Sequence, residues 1–232
     1  DTITGTPGRR IPTSHKENVL SIGGQLIKSQ GKTLHYNVLG EIAMIGEDAG
    51  QFSVEGQGDL NFRLFNDTVR LEANAYIKNL NPTFYYRHFH SKHYWWDNDL
   101  SKIMRTRIEG KLSIDRWRTQ LKAGVENITN YTYLDNTSVK YTNNDVVSYK
   151  NNMAVSQYSG SIQVFSATLR QDFKLGILHL DNEITYQKTS NATVLPLPEL
   201  VLYHDLYLQF GLAKNVLQIE MGADMRYFTQ YY

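Results

Sequence analysis

Polar and apolar residues alternate along most of the chain, and the clearest run is Gln51–Leu64, "QFSVEGQGDLNFRL". Phe52, Val54, Gly56, Gly58, Leu60, Phe62 and Leu64 take its even positions, and the odd ones carry Gln51, Ser53, Glu55, Gln57, Asp59, Asn61 and Arg63. Successive side chains of a strand point to opposite faces, so the run predicts a strand with one apolar and one polar face. The period returns where Val69, Leu71, Ala73, Ala75 and Ile77 alternate with Arg70, Glu72, Asn74, Tyr76 and Lys78. It returns again where Met104, Ile108, Gly110, Leu112 and Ile114 alternate with Arg105, Arg107, Glu109, Lys111 and Ser113. Leu178, Leu180, Ile184 and Tyr186 oppose His179, Asp181, Glu183 and Gln187, and Leu217, Ile219, Met221, Ala223 and Met225 oppose Gln218, Glu220, Asp224 and Arg226. About eleven such strands are predicted and no segment holds a helical period, so the expected fold class is all-β.

Strand length narrows this further. Strands of soluble proteins run about five or six residues, whereas a tilted strand crossing a bilayer needs about nine to eleven. Tight turns are expected at Asp115, Lys174 and Lys214, and long loops near 91–99, 129–160 and 189–198, so short and long connections alternate in the C-terminal half. That is the pattern of an antiparallel up-and-down transmembrane β-barrel with short turns at one rim and long loops at the other. Residues 17–232 are expected to supply its strands as part of a longer barrel, and residues 1–16, rich in Gly, Pro and Thr, to form a flexible arm. Phe52, Val54, Leu60, Phe62, Leu71, Ile108, Leu180 and Ile219 are expected to face lipid. No apolar run is long enough for a helix that spans a bilayer.

A net charge of +1 and the lack of a basic stripe argue against a nucleic-acid partner. With no cysteine, disulfides, thiolate nucleophiles and sulfur-based zinc sites are excluded. The motifs of serine hydrolases, zinc proteases and phosphate-binding loops are absent, so no catalytic residue and no cofactor is expected. If the polar faces line a lumen, its wall comprises Glu55, Asp59, Arg63, Arg70, Glu72, Arg105, Arg107, Glu109, Lys111, Asp181, Glu183, Glu220, Asp224 and Arg226. Ion-pair ladders between strands account for such a set without catalysis. Acids and bases are nearly balanced in number, which predicts a weakly selective or plugged channel.

The stretch "FYYRHFHSKHYWWDND", Phe84–Asp99, is read as a strand running into a long connection. His88 and His90 would share a face and could ligate a metal with a carboxylate such as Asp97, but an i, i+2 pair leaves tetrahedral positions open, so no metal is expected. Tyr94, Trp95 and Trp96 are expected as an interfacial aromatic girdle at the outer rim or as a loop plug. Stacking on a sugar is the alternative use of such rings.

Several stretches carry a family likeness: "SIGGQLIKSQGKTLHYNVLGE" (21–41), "FYYRHFHSKHYWWDNDLSK" (84–102), "GVENITNYTY" (124–133), "LPLPELVLYHDLYL" (195–208) and "MGADMRYFTQYY" (221–232). They resemble the putative porin family of Bacteroidetes outer membranes, over nearly all of the chain after residue 17. The resemblance implies a barrel in a bacterial outer membrane with the lipid bilayer as its partner, joined by other outer-membrane or envelope proteins. The expected function is passive diffusion of small polar solutes. A non-conducting barrel that scaffolds an envelope complex, and a soluble glycan-binding β-sandwich, are the alternatives.

Overall fold

The computed structural model describes residues 14–231 apart from 32, 65–66, 92–93, 137–138, 144–145, 151–152 and 215, and for 136–150 the backbone alone. Its elements are β1 (Val19–Lys28), β2 (Leu34–Gly46), β3 (Phe52–Leu64), β4 (Asp67–Leu80), α1 (Phe84–Arg87), β5 (His88–His90), β6 (Trp95–Asp97), β7 (Ile103–Ile114), β8 (Thr119–Asn136), β9 (Val139–Asn143), β10 (Val146–Lys150), β11 (Met153–Leu175), β12 (Leu178–Thr189), β13 (Leu200–Leu212) and β14 (Leu217–Phe228). Ten strands make one sheet in the order β1-β2-β3-β4-β7-β8-β11-β12-β13-β14, with every neighbouring pair antiparallel. The all-β, up-and-down expectation is met, with ten ladder strands where the alternation predicts about eleven. The remaining strands form two separate hairpins, β5–β6 and β9–β10, inside connections.

Register gives each face its character, because a one-residue slip would exchange them. One row of cross-strand partners reads Leu60, Leu71, Leu112, Leu121, Leu169, Ile184, Leu202, Tyr227 from β3 to β14. The adjacent row, on the other face, reads Asn61, Arg70, Ser113, Gln120, Arg170, Glu183, Tyr203, Arg226. The alternation in the single strands therefore adds up to two whole faces, one apolar and one polar.

The apolar face is uncovered. Ile22 is 65% exposed, Ile108 67% and Met221 57%, and among the described residues the ten-stranded ladder has no second large sheet to pack against. A two-sheet sandwich, the soluble alternative, is therefore not the fold. An apolar face of this extent exceeds what soluble monomers leave in water. β1 and β14 each have a single ladder neighbour among the described residues.

Connections differ by end. Residues 29–33, 65–66, 115–118, 176–177 and 213–216 link strands at one end, and 47–51, 81–102, 137–152 and 190–199 at the other. The contrast in length begins after β3, since 29–33 and 47–51 are equally long, and it then holds to β14. Gly176 turns the chain at φ +60°, where a side chain is disfavoured, and Ala213 and Lys214 make a left-handed pair at 50° and 57°. The long connection expected over 129–160 is shorter: β8 runs on to Asn136 and β11 begins at Met153, paired there residue for residue. A shift in this pairing between Tyr158 and Ser161 coincides with Asn130 at φ 59°. Gly160 lies in the shift, and a Cβ there would stand 2.6 Å from the Tyr158 ring.

Candidate functional site

The polar face collects the ionised side chains. Glu55, Asp59 and Arg63 of β3, Arg70 and Glu72 of β4, Arg105, Arg107, Glu109 and Lys111 of β7, Asp181 and Glu183 of β12, and Glu220, Asp224 and Arg226 of β14 all fall on it by register. Lys78, Lys122 and Glu126 join them and complete the pairing.

Between β3 and β8 the charges form a ladder. Lys78 Nζ lies 2.6 Å from Glu55, and Lys111 Nζ 3.1 Å from Glu72. Glu126, only 8% exposed, accepts from Arg105 at 2.5 Å and faces Arg107 at 3.6 Å. Arg107 also pairs with Glu109, which holds Lys122 at 3.6 Å. The network ties four strands together on the side opposite the apolar face.

This face is not equally open along its length. Ile128 and Ile162, opposite each other across β8 and β11, are 5% and 0% exposed, and Thr132 nearby is 4% exposed. The closed part lies toward the end with the long connections. Gln157 of β11 ties that end down by donating to the carbonyls of Ser101 and Asn130 and to the Thr132 hydroxyl.

The connection 81–102 is organised around one half-buried arginine. Arg87, at the end of α1, makes two bonds to the Glu17 carboxylate at 3.0 and 3.2 Å and donates Nε to the Pro82 carbonyl. Of the arm expected over 1–16, residues 1–13 lie outside the described residues, while the His15 ring packs on Phe84 at 4.6 Å. The strand expected from Phe84 is corrected: Phe84–Arg87 form a helical turn, with Tyr86 and Arg87 amides donating to the Thr83 carbonyl. Only His88–His90 are extended, paired with Trp95–Asp97.

In that hairpin the His88 Nδ1 and His90 Nε2 atoms meet the same Asp97 oxygen at 3.0 and 2.8 Å. The His88 bond first, and the His90 bond with it, hold the Asp97 carboxyl below its ordinary range. No set of three His, Asp or Glu side chains among the described residues is arranged to hold a metal ion. Trp95 stacks on His90 at 3.8 Å and Trp96 on Phe89 at 4.8 Å, and the Trp96 indole donates to the Tyr85 carbonyl. Tyr94 lies 6.4 Å from Trp96, with its amide bonded to the Ser91 hydroxyl. These rings are engaged with one another in the hairpin and belong to none of the ladder strands.

A ladder with one apolar and one ionised face, short turns at one end and long connections at the other, meets a family pattern. A family model described as putative porin matches residues 2–232. The chain belongs to the putative porin family. Membership makes it a porin-like outer-membrane protein, and it fits the uncovered apolar face. Comparison with curated proteins and with solved structures gives no match.

Two polar-face acids escape the alternation rule. Asp172 sits near the C-terminal end of β11, where polar residues occur on both faces, and Asp205 lies inside the apolar run "LVLYHDLYL". The clue to Asp205 is its spacing of two from Tyr203 and Tyr207, with which it shares a face.

Proposed function

We propose that the protein is a porin that lets small polar solutes diffuse passively across the outer membrane. The observation that carries this reading is the pairing of an uncovered apolar face with a face holding every ionised ladder residue named above. Burying the apolar face in lipid removes it from water, and the polar face then lines an aqueous path. The ladder is part of the wall of a barrel. The buried Ile128 and Ile162 mark a constriction toward the end with the long connections, and the aromatic hairpin with Tyr94, Trp95 and Trp96 belongs at the outer rim. No chemistry is required of the wall, only its hydration and charge.

Planar-bilayer recording of the purified protein tests this reading. Stepwise conductance increments are the expected result. Stable insertion without any steps would replace it with a non-conducting barrel whose long connections scaffold an envelope assembly.

A further inference from the structure

The polar face has two electrical halves, although its acids and bases nearly balance in sum. On β4, β7 and β8 the bases Lys78, Arg105, Arg107, Lys111 and Lys122 are each matched to a carboxylate, as described above. On β11 to β14 the acids dominate. Asp172, Asp181, Asp205 and Asp224 stand directly opposite one another in a single row across these four strands. With strands about 4.8 Å apart, the row spans about 14 Å.

Like charges facing each other across strands weaken a sheet, so four in a row have no rationale in folding. Their neutralisation is sparse. Arg170 lies 3.3 Å from Asp172 and 3.9 Å from Asp181, and the exposed Arg226 lies 3.9 Å from Asp224. Asp205 has no ion-pair partner among the described residues, and Glu183 and Glu220 add to the negative side.

A second, independent observation sits beside the row. His179, two residues before Asp181 on the same face, is 8% exposed, and its Nε2 has no hydrogen-bond partner among the described residues. Its ring stacks on Tyr207 at 4.8 Å, so it lies along the wall next to Asp181 and Asp205. A buried ring nitrogen left without a protein partner calls for one from the solution phase.

We infer that the aspartate row is a cation-guiding lane, which makes the pore favour small cations and amine-bearing polar solutes over anions. The inference rests on the reading of the polar face as the pore lining. The excess of carboxylates over bases on β11 to β14 raises the local concentration of cations, while the bases named on β4, β7 and β8 are already occupied and offer anions no equal attraction.

The test is the reversal potential of the protein in a planar bilayer under a KCl gradient. The potassium-to-chloride permeability ratio is expected above one at 0.1 M salt. It should fall toward one at 1 M, because screening shortens from about 10 Å to about 3 Å. The double variant Asp181→Asn with Asp205→Asn should lower the ratio by about twofold or more, and Lys122→Gln, which releases Glu109 from its pair, should raise it. Removing facing like charges relieves repulsion, so the variants keep their fold; Asp205→Asn alone, with a smaller shift in the same direction, serves if the double variant does not insert. A wild-type preference for chloride, or a double variant that conducts with the wild-type ratio, overturns the inference and leaves the pore reading standing. A wild-type protein that does not conduct overturns both.

Discussion

The Tyr76 hydroxyl of β4 donates to Glu126 of β8 at 2.9 Å, reaching across the intervening β7. Polar-face side chains therefore lie along the wall and link strands that share no backbone bonds. Glu126 serves three donors at once: Tyr76, Arg105 and Arg107. Glu126→Ala leaves Tyr76 and Arg105 without this acceptor, while Arg107 keeps Glu109. Arg105 and Arg107 are partly exposed and recover water, which moderates the loss. The expected cost is about 1–3 kcal/mol, read as a lowered urea midpoint in lipid vesicles. An unchanged midpoint would show that the network contributes nothing to stability.

The two faces should tolerate charge differently. Ile108, 67% exposed in mid-strand on the apolar face, is the test position. Ile108→Arg is expected to cost about 2–4 kcal/mol if that position lies near the bilayer midplane. Lys111→Arg, on the polar face of the same strand, should fold into vesicles as wild type does. Equal folding yields for the two variants would contradict the assignment of the faces.

The hairpin β5–β6 should respond to acid in one direction. The Asp97 carboxyl is held below its ordinary value of 3.8 by the His88 and His90 bonds. A carboxylate whose folded-state pKa is depressed stabilises at pH above its unfolded value, and that contribution disappears as pH falls through the folded one. Amide exchange in 84–97 should therefore stay slow from neutral pH down to about pH 4 and quicken below it. Asp97→Asn should remove this acid step, and its persistence in that variant would assign it to another group.

Strand positions and faces were legible because a half-buried wall forces a strict period of two, as in Gln51–Leu64. The extensions of β8 and β11 past Thr129 and before Ser161 were not legible, since both faces there carry Thr, Asn, Tyr and Ser and the alternation fades. The helical turn at Phe84–Arg87 was hidden because four residues cannot display a period, and its stability comes from Glu17, far away in sequence. The row of aspartates was hidden for a different reason. Each Asp lies in its own strand, and only the register between strands sets them opposite one another.

The most direct measurement of the central claim uses the absence of cysteine, which makes every introduced thiol unique. Channels carrying Lys111→Cys or Ile108→Cys are recorded in a planar bilayer before and after a membrane-impermeant, charged thiol reagent is added. The polar face as pore lining predicts a stepwise fall in single-channel current for Lys111→Cys and no change for Ile108→Cys. Current that is insensitive at Lys111→Cys but blocked at Ile108→Cys, or no current from either variant or the wild type, would contradict it.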